Sequence, residues 1–86
     1  MGPVDAAFNS LGQIFGDEIV LEDFQIASVT KGTDALGETK IILSKDGNRY
    51  SGKGLSNDII KSSIDAYINA VNHMEYFAER QKGIDK

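Results

Sequence analysis

The sequence predicts an α+β domain in the order α-β-β-β-α, with a three-stranded antiparallel meander packed against two helices. Three observations indicate this order. Apolar residues recur at helical spacing near each end of the chain, β-branched and aromatic residues are concentrated between those ends, and an Asp-Gly pair separates two strand-like runs. Because 86 residues suffice for only one hydrophobic core, we expect a single domain over residues 1–86.

The first predicted element is a helix that begins after Gly2, with Pro3 at its first position. Proline suits that position because its φ is preset and no needed donor is lost. The apolar residues that follow at helical spacing are Val4, Ala7, Phe8, Leu11, Ile14 and Phe15. Gly16 favours the helix end, since glycine adopts the left-handed conformation found there.

Three strands are predicted next. They cover residues 18–29, 38–44 and 49–54. In the first strand, Phe24, Ile26 and Ser28 share one face, because side chains alternate along a strand. The connection between the first two strands, residues 31–38, contains two glycines and small polar residues. It could present free backbone groups to a small zwitterion, although an ordinary strand connection is the simpler interpretation on physical grounds.

Glycines mark two further features of the sheet. Asp46 and Gly47 are typical of a tight hairpin in which both central residues have positive φ. Gly52 and Gly54, in the third strand, predict a close approach of another backbone.

The last predicted element is a helix with Ser56 as its N-cap and Asp58 near its positive end. Its apolar stripe consists of Ile60, Ile64, Tyr67, Ile68 and Val71. The periodicity weakens after Met74, so residues 75–86 are predicted to fray.

Composition disfavours nucleic-acid and membrane partners. The chain has 13 acidic against 9 basic residues, and the basic ones are scattered, whereas phosphate-backbone binding relies on a concentrated basic face. The sequence contains no run of about 18 apolar residues, which is the length that a membrane-spanning helix needs. The first ten residues lack the features of a signal peptide, and cysteine is absent. We therefore expect a cytoplasmic protein.

The residues do not indicate a catalytic or metal site. His73 lies on the polar side of a predicted helix, with no partner for general-base chemistry. The acidic pairs Asp17-Glu18 and Glu22-Asp23 lie where strand alternation sends neighbours to opposite faces, and no calcium-loop spacing occurs. We therefore predict no catalytic residue, no metal ligand and no cofactor in this chain.

Two partial matches point to other function classes. Residues 47–54 nearly match a phosphate-binding loop, but Gly54 stands where the motif needs Ser or Thr for magnesium. The element order matches a double-stranded-RNA-binding domain. That domain needs phosphate-gripping lysines at the start of its last helix, where this chain has Asn57 and Asp58. The RNA-binding module stays as an alternative.

Three ordered segments together resemble a known family. The segments are GPVDAAF (2–8), TKGTDALGE (30–38) and RYSGKGLSNDIIKSSIDAYINAVN (49–72). They are similar to the C-terminal regulatory domain of 2-isopropylmalate synthase and its relative citramalate synthase, with Asn57 where the family commonly has Thr. The resemblance implies that this chain holds the last helix of a first β-β-β-α half and the whole second half. It also implies a parent acyltransferase whose separate catalytic barrel uses acetyl-CoA and a divalent metal.

The resemblance further implies an amino-acid effector, which is leucine, or isoleucine in citramalate synthases. The effector binds at the regulatory dimer interface and inhibits the distant catalytic domain. The effector-binding residues that it implies are Gly2, Val4, Leu21, Phe24, Ser28, Gly32, Thr33, Asp34 and Ala35. A branched side chain would suit a pocket lined by Val4, Leu21 and Phe24, and its carboxylate would suit the N–H groups at the helix start. Without the resemblance, Leu21 and Phe24 would be interpreted as core.

A homodimer is the expected assembly. The first helix carries an apolar stripe whose partner strands, in the implied family arrangement, belong to the preceding half. The stripe consists of Val4, Phe8, Leu11 and Phe15. Exposing several such side chains is costly, at ~1.5–3 kcal/mol each. We therefore predict a two-fold symmetric dimer in preference to a monomer whose helix folds onto its own sheet.

Overall fold

The computed structural model describes residues 2–16 and 18–84 and confirms the α-β-β-β-α order. Its elements are α1 (Pro3–Phe15), β1 (Val20–Lys31), β2 (Asp34–Lys45), β3 (Asn48–Ser56) and α2 (Ile59–Ile84). The strands form one antiparallel sheet in the order β1-β2-β3, so β2 is central and β1 and β3 are the two edges.

The core lies between the sheet and α2. On β2, Thr39, Ile41 and Leu43 are almost completely buried, and because they alternate they share the face that meets the helices. The helix supplies Ala66, Tyr67, Ala70, Val71 and Met74. The Thr39 hydroxyl lies 2.8 Å from the Ser62 hydroxyl, so the buried polar side chains on these two elements satisfy each other.

Two glycines bring β3 against α2, as the sequence predicts. Gly52 and Gly54 lie opposite Ile41 and Thr39 of β2 and are buried. A Cβ atom on Gly52 would overlap the carbonyl oxygen of Ala66, and one on Gly54 would overlap that of Ser62. Only residues without a side chain therefore fit this contact.

Helix α1 packs on its own chain. The Phe8 ring makes an edge contact with Phe24, with centroids 5.1 Å apart, and lies 5.8 Å from the Tyr67 ring. The Phe15 ring stacks on Tyr67 at 6.2 Å. The expectation that the α1 stripe has no partner within this chain is therefore wrong, because Phe24 and Tyr67 form an aromatic surface that accepts it.

The connection between β1 and β2 is much shorter than predicted. Lys31 pairs with Asp34, so only Gly32 and Thr33 lie in the turn. Gly32 has φ 61°, which a type II′ turn requires at its first central position. Residues 34–38 are therefore strand rather than loop. The second hairpin is as predicted, with positive φ at both Asp46 and Gly47.

Asp58, and not Ser56, caps α2. The Asp58 carboxylate accepts the Ile60 N–H at 2.9 Å, and its carbonyl accepts the Ser62 N–H at 2.9 Å. Ser56 is still the last residue of β3, and its hydroxyl accepts the Asp58 N–H at 3.1 Å. At its other end α2 continues through residues 75–84. Fraying of that segment stays a prediction, and residues 85 and 86 lie outside the described residues.

Candidate functional site

The nine residues that the resemblance implicates lie in three separate places. Gly2 and Val4 are at the start of α1. Leu21 and Phe24 are in the first half of β1. The others lie at or toward the turn of the β1–β2 hairpin: Ser28, Gly32, Thr33, Asp34 and Ala35.

Some of the backbone hydrogen-bonding groups at the start of α1 already have partners within the chain. The Gly2 N–H donates to the Asp5 carboxylate at 3.2 Å, and the Gly2 carbonyl accepts the Ala6 N–H at 3.1 Å. Gly2 is exposed, whereas Val4 is half-buried and packs against the core. A carboxylate already occupies the positive end of the helix, so an incoming anion would share this end with Asp5.

In the first half of β1, Phe24 and Leu21 have different surroundings. Phe24 is half-buried and lies opposite Ile41, which makes it part of the core as well as a candidate contact. Leu21 is 38% exposed and borders a groove of about 470 Å³. The groove runs along α1 and is lined by Phe8, Asn9, Gly12, Gln13, Gly16, Ile19, Leu21 and Tyr67.

The groove combines apolar walls with amide and hydroxyl groups. Asn9 and Gln13 each bring both a donor and an acceptor, which is what a zwitterion needs. The Tyr67 hydroxyl can donate or accept, and burial raises its pKa above the ordinary value of 10.0. Of the nine implicated residues, Leu21 is the one that lines this groove. Asn9 and Gln13 were missed, although their spacing on α1 places them on one helix face.

The hairpin end is exposed and largely paired. Ala35 lies opposite Thr30 and Ser28 opposite Gly37, so the backbone of this segment takes part in the sheet. A two-residue turn replaces the loop, which agrees with the ordinary strand connection that the residues alone favour. The space around Gly32 is open, since a Cβ atom there would meet no atom within 4 Å beyond its chain neighbours.

A single ligand cannot contact both ends of β1 within one chain. Leu21 and Gly32 are separated by eleven residue steps along an extended strand, which corresponds to roughly 35 Å at ~3.3 Å per residue. An amino acid is far shorter than that. The structure therefore does not bring the implicated residues together.

Two side chains of α2 cover the backbone of β3. The Asn69 amide donates to the Lys53 carbonyl at 2.6 Å, and His73 Nδ1 donates to the Ser51 carbonyl at 2.6 Å in the tautomer with its proton there.

The described residues contain no group of three or more side chains placed to hold a metal ion. Over the same part of the chain, neither helix is long and apolar enough to cross a membrane.

Comparisons with known proteins agree on one kind of protein. Residues 1–75 match the family model described as the LeuA allosteric (dimerisation) domain. A 2-isopropylmalate synthase from Ruminiclostridium cellulolyticum is 46% identical over 71 residues, which is 83% of this chain and 14% of that protein. Those from Nitratidesulfovibrio vulgaris and Pyrococcus furiosus are 42% and 41% identical, over 95% and 85% of this chain. The chain spans 14 to 16% of the length of these relatives. No solved structure matches it.

Proposed function

This chain belongs to the family of LeuA allosteric (dimerisation) domains, and from that premise we propose that it senses an end-product amino acid and pairs with a second copy of itself. Leucine is the proposed effector, in feedback inhibition of leucine biosynthesis. The proposed parent is a cytoplasmic 2-isopropylmalate synthase, an acyltransferase whose separate catalytic domain uses acetyl-CoA and a divalent metal. A citramalate synthase that senses isoleucine is the alternative.

The family match carries this proposal. It extends over residues 1–75, and the relatives named 2-isopropylmalate synthase cover more than four fifths of this chain while the chain covers less than a fifth of them. A segment of that size corresponds to an accessory part of a large enzyme. We infer that this chain regulates and does not catalyse.

The groove along α1 supports an amino-acid ligand. Leu21 and Phe8 offer an apolar wall for a branched side chain, and pockets for small molecules combine such walls with a few polar groups. The amides of Asn9 and Gln13 could bind the ammonium and carboxylate groups.

A ligand titration of the full chain tests the proposal. Leucine should raise the melting temperature most, isoleucine less, and valine and alanine least. At one hundred times the dissociation constant, binding stabilises the folded chain by roughly 2.7 kcal/mol. At about 4–8 °C per kcal/mol for a domain of this size, the shift should exceed about 10 °C. A larger effect of isoleucine than of leucine would favour the citramalate synthase alternative.

A matched pair of variants locates the ligand. Asn9→Ala should weaken leucine binding by about 10-fold, since one lost hydrogen bond to a charged group is worth about 1.5 kcal/mol. Asn72→Ala makes the same change on an exposed position of α2 outside the groove and should leave binding unchanged. If none of the four amino acids binds a folded chain at millimolar concentration in calorimetry, the proposal is wrong.

A further inference from the structure

We propose that β1 is the edge along which two copies of this chain pair, antiparallel, so that two three-stranded sheets become one sheet of six strands. This inference deepens the proposed function, because it assigns the surface through which the copies pair. The pairing itself does not depend on which effector binds, or on whether one does.

The two edge strands differ in how much of their backbone is free to pair with another strand. On β3, Asn69 and His73 bond to the carbonyl groups of Lys53 and Ser51, and an edge covered in this way cannot accept another strand there. On β1, the described residues show one such side-chain bond to the backbone, and it is local: the Asp23 carboxylate accepts the Phe24 N–H at 2.9 Å. The rest of this edge stays uncovered.

The tight turn determines which β1 residues direct their backbone groups outward. In a two-residue hairpin the residues that flank the turn, here Lys31 and Asp34, form both backbone hydrogen bonds with each other. From there along β1, every second residue bonds to β2, and the residues between them direct their backbone groups away from it. The residues that direct their N–H and C=O groups away from β2 are therefore Phe24, Ile26, Ser28 and Thr30. Their side chains lie on the helix side of the sheet, where α1 covers Phe24 but leaves Ile26 43% exposed.

Charge complementarity selects one register. In an antiparallel pair with Ala27 at the two-fold axis, Asp23 of each copy lies opposite Lys31 of the other. Both side chains lie on the face away from the helices, so the two oppositely charged pairs are direct cross-strand neighbours. Centring the pair on Ile26 instead would place Asp23 opposite Val29, and a centre on Ser28 would place it opposite Thr33.

The same register joins two parts of the candidate site that one chain keeps apart. It brings the Gly32 turn of one copy beside Glu22 of the other, next to Leu21 and the α1 groove. Each dimer would thus contain two equivalent composite sites, each with a groove from one copy and a hairpin turn from the other. This consequence, unlike the pairing, rests on the proposed function.

Solution mass and amide exchange test the pairing on the full chain without ligand. Light scattering behind a sizing column, at tens of micromolar, should give twice the chain mass of 9.3 kDa. Amide hydrogens of Ile26, Ser28 and Thr30 should exchange more slowly as the chain concentration rises. Those of Ala27 and Val29, which already bond to β2, should not change. A monomer at these concentrations would overturn the proposal, as would a dimer without slowed exchange at the three outward positions.

Charge reversals test the register. Asp23→Lys or Lys31→Glu alone creates two like-charge pairs in a homodimer and should weaken self-association by about 10-fold or more, since like charges directly opposite are destabilising. An equimolar mixture of the two variants makes both cross-strand pairs attractive again, so dimers should return. Lys53→Glu, the same charge change on β3, should have no effect. Failure of the mixture to dimerise would overturn the register.

The ligand titration keeps the two proposals distinct. If the charge reversals behave as expected but no amino acid binds, the paired edge is supported and the proposed function fails. If leucine binds a chain that stays monomeric, the paired edge fails and the amino-acid-sensing part of the proposed function stands.

Discussion

The two edges of the sheet show how differently one small domain can be built on its two sides. At β3, the backbone lies against α2 without intervening side chains, and Asn69 and His73 cover the strand from the outside. At β1, the ring of Phe8 from α1 packs on Phe24, and Ile26 and Leu21 stay 43% and 38% exposed.

This difference separates stability from interaction. The β3–α2 side contains the closest backbone contact and, together with β2, the buried hydroxyl pair of Thr39 and Ser62. The β1–α1 side contains the groove, the exposed apolar residues and an uncovered edge. We expect substitutions on the first side to act on folding and those on the second to act on ligand and partner.

The strongest test of this separation adds one methyl group to each side. Gly54→Ala should lower the free energy of unfolding by about 3 kcal/mol or more, because the new Cβ overlaps the Ser62 carbonyl and the two backbones must move apart. Gly12→Ala, in α1, meets only the Tyr67 hydroxyl at 4.0 Å and should stabilise the chain by up to ~1 kcal/mol as helix propensity improves. Urea unfolding measures both. Similar losses in the two variants would break the comparison.

Removing one hydroxyl group from each side of the sheet should change the free energy of unfolding less than the methyl group added at Gly54 does. Thr39→Val removes a buried hydroxyl that lies 2.8 Å from Ser62 Oγ and should cost about 1–2 kcal/mol. The cost is limited because Ser62 still donates to the Ile59 carbonyl at 3.0 Å. Ser28→Ala, on exposed β1, should change the free energy of unfolding of the monomeric chain by less than about 0.5 kcal/mol. Thermal unfolding at low chain concentration tests both variants.

Uncovering β3 should make the two edges more alike. The double variant Asn69→Ala with His73→Ala removes two hydrogen bonds at exposed positions and should cost about 1 kcal/mol. It also leaves the Lys53 and Ser51 carbonyls free to accept another strand. Light scattering should therefore detect species larger than a dimer, which Asn72→Ala, a neighbouring exposed change on α2, should not produce. If assembly is unchanged, the two side chains do not protect this edge.

The smallest expected effect is a dependence of stability on alkaline pH at the contact between α1 and α2. Burial raises the pKa of Tyr67 above its ordinary value, so the folded chain holds the phenol proton more tightly than the unfolded chain does. The associated stability is complete below the unfolded pKa near 10 and is lost as pH rises through the folded pKa. Urea unfolding across this range should show a decline that is shallower in Tyr67→Phe. An equally steep decline in that variant would assign the effect to other groups.

Local signals made the helices and one hairpin predictable from the sequence. Pro3, with apolar residues at helical spacing, specifies α1, and the Asp46-Gly47 pair specifies a turn that few other residues allow. The length of the β1–β2 connection was overestimated because Gly32 is the one residue there that requires positive φ, and the small polar residues around it are equally common in loops. The cap of α2 was misplaced because Ser56 and Asp58 both suit the position, and only the end of β3 decides between them.

Contacts between distant elements were the part that sequence patterns could not supply. The packing of Phe8 on Phe24 and Tyr67 depends on where α1 lies over the sheet, which periodicity does not state. The bonds from Asn69 and His73 to β3 depend on how closely α2 approaches that strand. The effector residues came from the family resemblance alone, and whether they act together stays a prediction.

The close contact between β3 and α2 also limits how this domain can diverge over evolutionary time. Gly52 meets α2 at Ala66 and Ala70, and Gly54 meets it at Ser62 and Ala66, all of them small residues spaced one turn apart. A larger residue on either element would force the strand outward unless the other element changed in the same step. These two glycines and their helix partners are therefore free to change only together, whereas exposed β1 positions outside the proposed Asp23–Lys31 pairs can vary singly. We expect this spacing of two strand glycines and three small helix residues to persist in distant relatives after the α1 groove has lost its resemblance.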